Sequence, residues 1–139
     1  MRTFPLSPTG LTARQILSGV SDEIKERANQ VRVFTLKAKV SRYGLEYYAK
    51  TRTIGEGASG KTYVTSVTLL DPRTRKVYID CTCPYHPFWG VEYNLNRRNA
   101  ALILRSNGQA PTIRDPSYRN LSCKHAVALM NLLIAENRI

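Results

Sequence analysis

Cys81-Thr82-Cys83 and Cys123-Lys124-His125 hold every cysteine of the chain and one of its two histidines. Three thiols and an imidazole are a complete tetrahedral ligand set for zinc. One ion bound by both pairs would tie together two segments with 39 residues between them, so any fold must bring these segments into contact. The odd cysteine count argues against a disulfide framework and points to a reducing cytoplasm during folding.

The spacing of each pair selects a backbone. Residues i and i+2 of a strand face the same way, so Cys81 and Cys83 can present two thiolates side by side while Thr82 faces away. Residues two apart in a helix do not share a face. Cys123 is therefore expected at or before a helix cap and His125 in the first turn, where free N–H groups and the positive helix end stabilise thiolate charge. One zinc would then join a strand end to a helix start. With all four positions filled by protein, such a site is closed and structural.

The rest of the pattern predicts an α+β fold. Residues 1–10, with Pro5 and Pro8, read as an extended N-terminal arm, and 11–139 as a single α+β domain. Thr12 through Gln15 resembles a capping box, and Ile16, Leu17, Val20 and Ile24 form a helical apolar stripe that Gly19 and Ser21 can divide in two. Phe34, Leu36, Ala38 and Val40 alternate with polar residues, the signature of a half-buried strand. Further strands are expected over 45–54, 62–70 and 76–83, giving an antiparallel meander of about four strands. Residues 90–104 are a candidate helix. Ala126, Val127, Leu129, Met130, Leu132, Leu133 and Ile134 mark a C-terminal helix, stapled to the sheet by the zinc site.

A chain of 139 residues, 42% hydrophobic, supports a modest core, to which bound zinc would add folding free energy. No stretch has the apolar length to span a bilayer, and the N-terminus lacks a signal-peptide apolar region. The net charge of +11, from 21 basic and 10 acidic residues, predicts affinity for polyanions or for an acidic partner surface. Arg97, Arg98 and Arg105, near Trp89 and Tyr93, are candidate contacts to single-stranded nucleic acid. The alternative for them is a solvated face beside core aromatics.

Two other signals compete. His86 lies three residues beyond Cys83 and could replace His125 as a ligand. Gly55 to Thr62 fits the phosphate-loop pattern G-x-x-x-x-G-K-[ST], but that loop works by leading into a helix whose N-terminus holds phosphate. Tyr63 to Thr68 is a strand former instead, and Asp71 follows too closely for a crossover connection. A glycine-rich hairpin loop is the simpler reading. No Ser/His/Asp set or matched carboxylate pair emerges, so the chain reads as non-enzymatic, with no small-molecule substrate.

C-x-C followed at a distance by C-x-H and an apolar helix resembles the SWIM zinc finger, over about residues 76–135. On that resemblance Cys81, Cys83, Cys123 and His125 match the four ligands, and Pro84, Lys124 and the helix start from Ala126 to Leu129 also fit. The 39 residues between the pairs are more than many members have. SWIM domains imply DNA or protein binding. Cys83-Pro-Tyr, Trp89 to Tyr93, Ser106 to Pro111, Asp115-Pro116 and Cys123 to His125 further resemble a stand-alone SWIM-type variant of large tailed bacteriophages. That likeness implies a minor virion component of neck, tail or baseplate, made in the bacterial host cytoplasm and docked to neighbouring protein subunits. The alternative it leaves is a cytoplasmic nucleic-acid or protein-binding module.

Overall fold

The structure is a computed structural model, and it describes residues 10–54, 61–83 and 122–139. The candidate helix over 90–104 and the arm residues before Gly10 lie outside these ranges.

Local rules set the first elements. Thr12 caps α1 (Ala13–Ser18): its hydroxyl accepts from the Gln15 N–H at 3.1 Å, and the Gln15 side chain accepts from the Thr12 N–H at 2.8 Å. This reciprocal box satisfies two otherwise orphaned donors. The helix ends at Gly19, and Ser21 caps α2 (Asp22–Ala28), whose first turn carries Asp22 and Glu23. The apolar stripe is thus divided between two short helices, which bury Ile16 and Ile24, and the link between them, which buries Val20.

Five antiparallel strands follow the order β1-β5-β4-β3-β2. They are β1 (Leu11–Thr12), β2 (Val31–Ser41), β3 (Gly44–Thr53), β4 (Tyr63–Leu69) and β5 (Lys76–Cys81). The four-strand meander of the sequence is present, and β1 adds a fifth by pairing Leu11 with Val77. Two residues are too few to show a period, which is why this strand has no sequence signature. Between β2 and β3 the chain turns through Gly44 at φ 149°, where any Cβ would collide with the Leu69 carbonyl. Glycine is required there.

The alternation expected for β2 breaks at one point. The register against β3 shifts between Phe34 and Lys37, and Thr35 takes φ 55°. This bulge puts Val31 and Val33 on the same face as Leu36 and Ala38, and sends Phe34 to the other. Phe34 therefore does not share a face with Leu36, contrary to the simple period-2 reading.

The inner face of the sheet carries Tyr47, Ala49, Val67, Leu69, Val77 and Ile79, all buried. Against it packs α3 (Lys124–Ala135), with Ala126, Leu129, Met130 and Leu133 fully enclosed. Ile24 and Ala28 of α2, with Val20 just before it, pack around Val127 of α3. Asn137 ends α3 in the left-handed region, and the Arg138 N–H donates to the Leu133 carbonyl at 2.8 Å. This is a Schellman closure, and it returns Ile139 to the core.

Candidate metal centre

Beyond the last residue of β5, Thr82 extends the pairing with β4. Its N–H donates to the Val64 carbonyl at 3.0 Å, and its hydroxyl accepts from the Val64 N–H at 3.0 Å. With Thr82 pinned outward, Cys81 and Cys83 both point into the core, 0% and 1% exposed. Cys123 is the N-cap of α3, where its sulfur accepts from the Ala126 N–H at 3.4 Å. His125 sits in the first turn, 4% exposed, with its ring tilted 59° against Tyr63 at 5.1 Å between centroids.

The fold brings these four side chains together. One ligand atom from each of Cys81, Cys83, Cys123 and His125 lies within 4.8 Å of all the others. Four donors about 2.3 Å from one tetrahedral ion would lie about 3.8 Å apart, so the cluster is close to coordinating dimensions. Four buried ligands at this separation can hold one metal ion.

The electrostatics support a cation. Burial pushes the Cys123 thiol well above its ordinary range, and hydrogen bonds and charge from Cys81 and Cys83 push it further. Three thiolates cannot share a dry site unless a positive charge is present to offset them. In addition, His125 Nδ1 is buried with no hydrogen-bond partner among the described residues. A buried nitrogen left so costs about 1–3 kcal/mol, and a metal bond would satisfy it.

The sulfurs also receive hydrogen bonds. Cys81 Sγ accepts from the Cys83 N–H at 3.5 Å and contacts Thr65 Oγ1 at 3.4 Å, while Thr65 Oγ1 lies 3.0 Å from Thr51 Oγ1. These threonines were not singled out in the sequence. Their only signal is a hydroxyl at inward positions of β3 and β4, and its meaning depends on the register that sets Thr65 opposite Cys81.

The competing signals resolve unevenly. The segment after Thr62 is strand β4 rather than a helix, so the glycine-rich loop lacks the helix N-terminus that phosphate binding requires. His86, Arg97, Arg98 and Arg105 lie outside the described residues. Among the described residues no helix is long and apolar enough to cross a membrane, which says nothing of crossing by strands. No protein-family model, curated protein or solved structure matches the chain.

Proposed function

We propose that the cluster is a closed, structural zinc site of SWIM type, and that the protein is a non-enzymatic component of a larger assembly. The observation that carries the zinc reading is the enclosure of three sulfurs and one imidazole within 4.8 Å. Sulfur-rich sets with one imidazole favour zinc over the oxygen-seeking cations. Because the protein fills all four positions, no site is left for an activated water, so the chemistry is that of a staple. Metal analysis of freshly purified, folded protein tests this: one zinc per chain is expected, and folded protein without metal refutes it.

The assembly we propose is the virion of a tailed bacteriophage, at the neck, tail or baseplate. This part rests on the motif series of residues 83–125 and on nothing in the fold. Mass spectrometry of purified particles should find the chain at a stoichiometry matching a symmetric ring. Its absence from particles refutes the placement.

A second reading, nucleic-acid binding, is favoured by the outer sheet face. There β2 and β3 display Arg32, Lys37, Lys39, Lys50 and Arg52 against Glu46, with Phe34 and Tyr48 among them. A pocket of about 410 Å³ opens beside Lys39, Arg42, Tyr43 and Tyr78. Cations interleaved with aromatic rings suit a single strand. Binding to a fluorescent oligonucleotide should weaken steeply with salt and fall in Lys37→Glu and Lys50→Glu. No binding at low salt refutes this reading.

A further inference from the structure

We infer that Thr65 is a positioning residue for the metal centre, donating its hydroxyl hydrogen to Cys81 Sγ when metal is bound. The inference rests on the metal-site reading above.

Three contacts run in series across the inner face, from β5 to β3. Cys81 Sγ lies 3.4 Å from Thr65 Oγ1, Thr65 Oγ1 lies 3.0 Å from Thr51 Oγ1, and Thr51 Oγ1 lies 3.2 Å from the Tyr63 carbonyl oxygen. The carbonyl can only accept, and each threonine hydroxyl supplies one hydrogen.

A metal-bound sulfur carries no hydrogen, because coordination releases it to solvent as a proton. Two hydrogens must then serve three contacts. The sulfur bears charge, and hydrogen bonds to charged acceptors are about twice as strong as neutral ones, so Thr65 turns to Cys81. Its oxygen is then open to the Thr51 hydroxyl, which releases the Tyr63 carbonyl. Both threonines are 0% exposed, so water cannot substitute for either partner. Valine would fill the same space on an apolar face, but it would leave the thiolate without this donor. The Thr65 hydroxyl thus satisfies Cys81 in the loaded site.

Cobalt(II) serves as the probe ion, because its thiolate-to-metal charge-transfer band reports on sulfur. A hydrogen bond stabilises the sulfur lone pairs and raises the energy of that band. Thr65→Val should move the band to lower energy and weaken zinc binding, measured by chelator competition, about tenfold. Thr65→Ser should restore both. Thr51→Val should leave the band near its wild-type position, since Thr65 can still donate. A role in packing alone would not move the band in a shape-conserving variant.

A second measurement needs no variant. In wild-type protein loaded with cadmium-113, the buried Thr65 hydroxyl proton should show a coupling to the metal through Cys81 Sγ. If wild-type protein binds neither cobalt nor zinc, the metal reading falls and this inference with it. If it binds them but Thr65→Val matches wild type in band and affinity, only the inference falls. A Thr65 hydroxyl proton observed without coupling to cadmium has the same consequence.

Discussion

The two faces of the sheet are drawn from alternate residues of the same strands, yet they differ in almost every physical respect. On β3, Tyr47, Ala49, Thr51 and Thr53 point inward and are buried, while Glu46, Lys50 and Arg52 point outward. On β5, Val77, Ile79 and Cys81 are enclosed, with Lys76 and Asp80 on the other side. The inner face is dry and leads, at the end of β5, to three sulfurs and an imidazole. Over β2 and β3 the outer face is largely basic, while Thr68 and Tyr78 on β4 and β5 are buried there. The difference shows where charge can be tolerated. Solvent screens the outer cations, whereas the inner sulfurs, as thiolates, would require a cation of their own.

This contrast can be broken first at the metal centre. Cys123→Ser removes both a ligand and the sulfur that caps α3. Bound zinc supplies roughly 10–16 kcal/mol in small zinc-dependent folds. The variant should therefore lose metal and melt far below wild type by circular dichroism, as should the wild-type protein given excess chelator. A melting curve unchanged by chelator would show that the sheet and α3 hold together without the ion.

A smaller loss is expected one turn further along. Leu129→Ala opens a cavity where α3 meets the sheet, at a side chain 0% exposed. Denaturant unfolding should register a loss of about 2–5 kcal/mol with one zinc per chain retained. Loss of metal in this variant would mean that the core and the centre form as one unit.

Thr35 offers a gain. A β-branched residue at φ 55° is held where the left-handed backbone costs about 1–2 kcal/mol. Thr35→Gly should raise stability by about 1 kcal/mol if the bulge itself is kept, as read from thermal unfolding. A loss of stability would indicate that the Thr35 side chain helps to hold the register between β2 and β3.

The smallest effect belongs to the outer face. Lys50→Glu should change stability by less than about 0.5 kcal/mol, because the residue is exposed. A large loss would refute the solvated character assigned to that face.

The sequence was legible wherever chemistry is local. The Thr12 box and the Ser21 cap follow from interactions within four residues, and the structure has both of them. The α3 helix announced itself by its near-continuous apolar content, which suits a helix covered both by the sheet and by α2. β1 did not, for lack of length, and Phe34 appeared on the wrong face because a bulge moves the period by one without changing composition.

By itself, the sequence determined the candidate ligand types and their pairing: a strand-spaced Cys81 and Cys83, and a cap-spaced Cys123 and His125. Only the tertiary structure decided that these pairs meet, that the site is enclosed, and that Thr65 and Thr51 stand in line behind Cys81. The physical reason is range. Spacing along a chain specifies which side chains share a face, but register between strands and the docking of a helix arise from the packing of the whole inner face.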